Sequence, residues 1–299
     1  MKKADYNVLI AGTGVAGLCC ALNLPADMRV LMLTKAKADE SDSFLAQGGI
    51  CMLRGKDDYF GYFEDTVRAG HYENDPAAVR QMIECSPAMI EELVGYGVQF
   101  ARDENGNFRF TREGGHRRPR ILFHGDETGR EITKTLLAAV RRLPNVTIRE
   151  NAELVDILCE ENECFGGVVR DTRTGELTDV CADFTLLATG GVGGLFENST
   201  NFRHLTGDAL AMALLHNVQV EHLDYVQIHP TTFYSEEEGR RFLISESVRG
   251  EGAVLLDKNG KRFCNELMPR DVVTGEIRQQ MQKDGTKHVW LDMRPVGKR

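Results

Sequence analysis

A glycine motif near the N-terminus constrains this chain more than any other stretch. Residues 6–11 (YNVLIA) form a short β-rich run, and Gly12-Thr13-Gly14-Val15-Ala16-Gly17 follows at once. Then come LCCALNLPA, a short helical pattern, and Arg29 to Thr34 (RVLMLT), a second strand. Together they make a strand–turn–helix–strand unit of about thirty residues. A glycine string alone is weak evidence, because a tight turn without a ligand looks the same. Between a strand and a helix it gains a mechanism. The first glycine makes the turn, the second lets backbone approach a pyrophosphate, and the third lets the helix pack on the sheet. The helix N-terminus then offers unpaired N–H groups and a positive dipole end to phosphates.

Which dinucleotide is less plain. A carboxylate is expected at the end of the second strand to hold a ribose. Here the chain reads Leu33-Thr34-Lys35, with no carboxylate until Asp39. That weakens a standard NAD reading without establishing another cofactor.

Periodicity organises the rest. Residues 77–96 read as an amphipathic helix, with Val79, Met82, Ile83, Met89, Ile90, Leu93 and Val94 near helical spacing. Residues 129–143 read as another, and Val146-Thr147-Ile148 as a strand entering the segment Leu154 to Leu158. A hairpin is expected from Gly166-Gly167-Val168-Val169 through the turn at Thr174-Gly175-Glu176 to Val180. Asp183 to Gly191 is a separate, buried-strand pattern, and residues 207–216 are helical. After about residue 222 the texture changes to short strands and polar turns, such as Val254-Leu255-Leu256 followed by Lys258-Asn259-Gly260. The expected domains are therefore 1–222 and 223–299, without repeats or low-complexity segments.

Composition excludes several classes. The 299 residues suffice for one large domain, or a large and a smaller one. A 42% hydrophobic and 27% charged chain is ordinary for a soluble protein. No apolar run approaches the roughly 20 residues of a membrane span. The start, MKKADYNVLIAG, runs straight into the glycine motif and lacks a cleavage site, so a cytoplasmic protein is expected. The net charge of −9 argues against a nucleic-acid partner. The eight cysteines (Cys19, Cys20, Cys51, Cys85, Cys159, Cys164, Cys181 and Cys264) form no CxxC pair. They read as reduced and mostly structural, and no metal or iron–sulfur site is expected.

Ser41-Asp42-Ser43-Phe44-Leu45-Ala46-Gln47-Gly48-Gly49-Ile50 resembles the flavin-contacting loop of the succinate dehydrogenase and fumarate reductase flavoprotein family. That family also tolerates Thr-Lys after the second strand. Further matches run in family order: Asp126-Glu127-Thr128-Gly129, Ala188-Thr189-Gly190-Gly191, Thr206-Gly207-Asp208-Ala209, His229-Pro230-Thr231, Glu246-Ser247-Val248-Arg249-Gly250-Glu251-Gly252 and Pro269-Arg270-Asp271. The resemblance implies an α/β fold: a Rossmann-type FAD-binding domain with an inserted, here incomplete, α+β capping domain. It implies FAD contacts at Gly12, Thr13, Gly14, Val15, Ala16, Gly17, Lys35, Asp42, Ser43, Phe44, Leu45, Ala46, Gln47, Gly48, Gly49, Val155, Gly190 and Asp208. Covalent members carry a flavin-bonded histidine five residues before the glutamine of AQGG. Asp42 stands there, so FAD is expected to bind non-covalently.

The same resemblance implies a chemistry. In Thr111-Arg112-Glu113-Gly114-Gly115-His116, Glu113 stands where the dicarboxylate enzymes typically have an apolar residue. A carboxylate there can pair with an ammonium, which aspartate has and succinate and fumarate lack. The expected reaction is flavin-dependent oxidation of L-aspartate to iminoaspartate in NAD biosynthesis, with oxygen or fumarate as electron acceptor and quinolinate synthase as a partner. A soluble fumarate reductase and a non-catalytic FAD-binding fragment are the alternatives. Glu246, Arg249 and Arg270 match the family's proton-delivery relay, Arg270 being the proton-transfer residue, and His229 matches a group that hydrogen-bonds a substrate carboxylate. A guanidinium is hardly ever neutral, so such a relay needs Glu246 and Arg249 to re-set it; without the motif, these three would read as surface ion pairs. Ser245 keeps the hydroxyl of the family's threonine. His116, Arg117, Arg118 and Arg120 form a basic cluster, read either as a solvated loop or as a substrate contact. Gly275 is expected to interrupt a helical run at a cost of about 1 kcal/mol. The resemblance stops before the rest of the capping domain, a second substrate histidine and arginine, and the return segment of the FAD site. On that reading, little or no turnover is expected of the 299 residues alone.

Overall fold

The computed structural model describes residues 4–113 and 115–297. In chain order the elements are β1 (Tyr6–Ala11), α1 (Val15–Asn23), β2 (Val30–Thr34), α2 (Asp42–Leu45), β3 (Ile50–Cys51), α3 (Tyr59–Ala69), α4 (Pro76–Tyr96), β4 (Ile121–Leu122) and α5 (Thr128–Val140). There follow β5 (Val146–Glu150), β6 (Ala152–Glu160), β7 (Glu163–Asp171), β8 (Leu177–Leu187), α6 (Asp208–Leu215), α7 (Glu246–Gly250), β9 (Val254–Leu256), α8 (Arg270–Asp284) and β10 (Trp290–Asp292). They form two compact units that interleave in sequence. One comprises residues 1–46, 96–98 and 129–226; the other comprises 47–95, 99–128 and 227–299. The boundary expected at residue 222 thus lies close to only the last of several crossings. Texture along a chain cannot show that an early segment clusters with a late one.

The first unit is built on a six-stranded sheet in the order β5-β2-β1-β8-β7-β6. β1 pairs in parallel with β2 and with β8, and β2 with β5, while β7 pairs antiparallel with both β6 and β8. The result is a Rossmann-like half continued by a meander. Alternation along β1 sends Leu9 and Ala11 to one face, where Leu31, Leu33, Leu154, Val169 and Met212 of α6 join them. Ile10 points to the other face, against α1 at Gly17. The hairpin return and the buried-strand pattern, expected as two elements, are one eleven-residue strand. Its first part pairs with β7 and its second with β1, and Phe184 in the second part is exposed rather than buried.

In the second unit, α3 and α4 pack through Tyr62, Val67, Val79 and Ile83. Pro87 lies inside α4 and cannot donate to the carbonyl of Ile83. The Ser86 hydroxyl donates to that carbonyl instead, at 2.7 Å, so the helix continues. A second cluster joins Leu255 of β9 to Val273 and Ile277 of α8. α8 runs unbroken through Gly275, contrary to the expected interruption. A Cβ there would meet nothing within 4 Å. Gly275→Ala is therefore expected to stabilise the protein by about 0.5–1 kcal/mol, read as a raised thermal midpoint; an unchanged or lowered midpoint would count against this helix.

The basic cluster is tied down by carboxylates, with Arg120 buried and the Arg117 and Arg118 side chains about half exposed. Arg120 is fully buried and donates to Asp58 (Nε at 3.1 Å, NH2 at 2.8 Å) and to Asp65 (NH1 at 2.8 Å). Arg117 donates to Asp65 and Arg118 to Asp57, while His116 Nδ1 lies 2.9 Å from Arg120 NH1. Each arginine of the cluster answers an aspartate far away in sequence, which local charge counting could not reveal. Among the described residues no helix is long and apolar enough to cross a membrane, and no group of three or more His, Cys, Asp or Glu could hold a metal ion.

Candidate functional site

The first unit carries a cleft of about 280 Å³ at the C-terminal ends of β1 and β2. Two glycines are demanded by close approach. Gly12 has φ +121°, and a Cβ there would sit 2.1 Å from the Ala188 carbonyl oxygen; one at Gly17 would sit 2.1 Å from the Gly12 oxygen. The turn can therefore be made only by bare backbone. It leads into α1, whose N-cap is Gly14 and whose first turn holds no acidic residue. Gly14, Val15 and Ala16 at that end of the helix line the cleft, and the first turn brings no carboxylate of its own to compete with a phosphate. Val15 N–H donates to Ser43 Oγ at 3.1 Å, tying the turn to α2.

Of the expected cofactor contacts, Gly12, Thr13, Gly14, Val15, Ala16, Lys35, Asp42, Ser43, Gly190 and Asp208 line this cleft. Lys35 Nζ, at the end of β2, donates to Asp208 Oδ1 (2.8 Å), Thr206 Oγ1 (2.9 Å) and the His204 carbonyl (2.8 Å). One cation thus fixes the loop before α6 against the sheet. Asp42 accepts from the Asn201 side-chain amide and from Phe202 N–H, the latter at 3.1 Å. Gly17 packs beneath the turn instead, Phe44 lies under the Arg130 guanidinium, and the Ala46 carbonyl accepts from Gly129. Neither Leu45 nor Val155 is among the lining residues, although Ala152 and Leu154, on either side of Val155 in β6, are. Gln47, Gly48 and Gly49 belong to the second unit.

Ser41 and Thr189, quoted above only within family motifs, also line the cleft, as do Glu40 and His204, which no motif singled out. Glu40 is the instructive one. No carboxylate stands at the end of β2, but Glu40, six residues beyond it and next to Asp39, lines the cleft.

The second unit gathers the charged residues. Arg270 is the first residue of α8 and donates to Glu246 (Nε at 2.7 Å) and to Gln227 (NH1 at 2.7 Å). A cation at a helix N-terminus is disfavoured by the dipole, and the Glu246 carboxylate offsets it. Within the short α7, Glu246 and Arg249 lie one turn apart, Arg249 NH2 being 3.6 Å from Glu246 Oε1. Arg249 is buried, its NH1 donates to the Glu266 carbonyl at 2.6 Å, and burial pulls its guanidinium below the ordinary value. Glu113 Oε1 accepts from Gly49 N–H at 3.2 Å. Burial pushes the Glu113 carboxyl up, the Gly49 bond and Arg270 oppose that, and Glu246 and Asp126 add to it. Ser245 Oγ donates to Asp126 Oδ1 at 2.9 Å. Gly114, of the segment that contains Glu113, lies outside the described residues.

His229 Nδ1 is engaged by the Thr231 backbone, which leaves Nε2 as the ring nitrogen not held by that segment. Burial, then the nearby Arg270, pushes its pKa down to about 4. His229 is therefore neutral at pH 7, and because the unfolded imidazole titrates near 6.5, lowering pH from about 6.5 to 4 destabilises the fold. Its ring signals in an NMR titration should move with a midpoint far below 6.5; a midpoint near 6.5 would mean that the ring is not held in this environment.

A parallel strand–turn–helix unit with an open, glycine-built helix N-terminus is the work of a dinucleotide-binding protein. The model of the FAD binding domain family matches residues 7–298, and the chain belongs to that family; its cofactor is FAD. The chain is 46% identical over 292 residues to an L-aspartate oxidase of Clostridium perfringens, covering 97% of this chain and 66% of the relative. It is 40% identical to an L-aspartate oxidase of Neisseria meningitidis, covering 97% of this chain and 59% of the relative. A quinol-fumarate reductase solved with menaquinol molecules superposes with TM-score 0.90 at 28% identity, covering 100% of this chain and 56% of that one. An E. coli quinol fumarate reductase gives 0.89 at 27%, covering 98% and 54%. The chain thus spans just under two thirds of the length of the first of these relatives.

Proposed function

We propose that the chain is the FAD-binding part of an enzyme that oxidises L-aspartate to iminoaspartate. The observation that carries this reading is the pairing of opposite charges in the second unit. Arg270 and Arg249 offer donors for carboxylates, while Glu113 offers an acceptor for an ammonium. The identity to L-aspartate oxidases supports it. When bound, FAD supplies a two-electron acceptor for the hydride of the substrate α-carbon. The residues prepare that step. An α-carbon gives up hydride readily only when its nitrogen is a neutral amine with a lone pair, so the ammonium must first lose a proton. Glu113, its carboxyl raised by burial, is the acceptor placed for it. His229 and Arg270 hold a substrate carboxylate, and Glu246 fixes the Arg270 guanidinium through Nε and NH2. FAD binds without a covalent bond, since Asp42 is taken up by Asn201 and Phe202.

The reading extends to a cytoplasmic place in NAD biosynthesis. An imine hydrolyses in water, which favours a consuming enzyme close by, and quinolinate synthase is that partner. The test is one anaerobic reduction of the FAD-loaded enzyme at the full length of its relatives, because little or no turnover is expected of the 299 residues alone. L-Aspartate should bleach the flavin band and succinate should not. Bleaching by succinate instead would favour the fumarate reductase reading, and bleaching by neither would refute the assignment.

A further inference from the structure

The tip of the β6–β7 hairpin carries two cysteines face to face. Glu160 pairs with Glu163, and Cys159 with Cys164. The two residues between, Glu161 and Asn162, both have positive φ, 49° and 68°. That is the backbone of a two-residue type I′ turn. In such a hairpin the pair flanking the turn is hydrogen-bonded, and the next pair outward is not. Cα atoms of a non-hydrogen-bonded pair lie about 4.5 Å apart, within the range of roughly 4.4–6.8 Å that a disulfide requires. Both thiols are exposed, and Cys164 Sγ lies 3.5 Å from the Gly166 carbonyl oxygen. Burial and then the neighbouring Cys164 raise the Cys159 thiol, as expected where two thiols share one place. The other six cysteines have no directly opposed cysteine in the strand registers.

We propose that Cys159 and Cys164 are a modification site: a dithiol that hydrogen peroxide converts into an intrachain disulfide. One thiolate attacks a peroxide oxygen, giving a sulfenic acid and hydroxide, which takes up a proton to become water. The second thiol then displaces the sulfenic oxygen as a second water, and the S–S bond forms. Two sulfurs lose two electrons in total and the peroxide gains them. The closed loop holds only four residues between the cysteines, so the bond adds little chain-entropy stabilisation. It is a reversible covalent mark, not a staple on which folding depends. The proposal goes beyond aspartate oxidation and does not rest on it.

The experiment treats the FAD-loaded full chain with added hydrogen peroxide, then alkylates and digests it with trypsin. Cleavage after Arg149 and Arg170 releases both cysteines on one fragment, Glu150–Arg170. That fragment should be lighter by two hydrogens, free of alkyl groups, and restored to a doubly alkylated form by prior dithiothreitol. Cutting at the glutamates of the turn should leave its halves joined until reduction. In Cys159→Ser the peroxide-treated fragment should keep an alkylatable or singly oxidised Cys164 and form no internal bond. The proposal is overturned if the wild-type fragment carries two alkyl groups at a peroxide dose that oxidises the exposed Cys85. It is equally overturned if Cys164 is found bonded to a different cysteine.

Discussion

Replacing Arg120 by methionine is expected to cost about 3–5 kcal/mol of stability, much of what a domain possesses. Methionine is of similar length, so packing is not the main loss, although the guanidinium's place over the Tyr62 ring is given up as well. What goes is the charge between two carboxylates. Asp58 and Asp65 are both buried and both accept from Arg120. Arg117 still reaches Asp65, through side chain and backbone, but Asp58 keeps no comparable cation. Removing one member of a buried network leaves uncompensated charge in a medium that solvates it poorly. Arg118→Ala is the internal control. Its pair with Asp57 is exposed on both sides, and its loss should fall within about 0.5 kcal/mol. Urea unfolding monitored by circular dichroism distinguishes the two. Similar small losses for both variants would mean that the buried network is not formed as described.

Glu113→Gln is expected to weaken L-aspartate far more than succinate. The glutamine oxygen can still accept from Gly49 N–H, so the local backbone is retained. The charge is not retained, and a charge-assisted hydrogen bond to an ammonium is worth about 1.5–3 kcal/mol, or roughly ten- to 150-fold in affinity. Succinate has no ammonium and should bind at least as well, because a like charge beside its carboxylates has been removed. Calorimetric titration of both ligands into wild type and variant measures the difference. Equal losses for both would reject the amino-group role of Glu113.

Local features were legible in the sequence and long-range ones were not. The glycine turn, α1 and β2 could be read directly because strand, turn and helix are contiguous and each glycine answers a steric demand. Glu246, Arg249 and Arg270 were singled out through the family resemblance, and Arg270 meets Glu246 across 24 positions. The burial of Arg120 within the basic cluster was not legible because the charges that neutralise it sit 55 and 62 residues away. Glu40 was missed because the chain travels beyond β2 before it returns to the cleft. β8 was split in two because its partner changes midway, from β7 to β1, and a change of partner leaves no mark on residue type. The interleaving of the two units was hidden for the same reason.

We propose that FAD sits over the Gly12–Gly17 turn at the start of α1, held without a covalent bond. Flavin stoichiometry tests it most directly, in the purified protein reconstituted with FAD and in its Gly12→Val variant. A side chain at Gly12 would meet the Ala188 carbonyl oxygen at 2.1 Å, in a backbone conformation that L residues rarely adopt. Wild type should hold one FAD per chain and release it intact into the supernatant on acid denaturation, and Gly12→Val should hold none. Flavin that stays with the precipitated protein, or a Gly12→Val variant that binds as much FAD as wild type, would contradict the account.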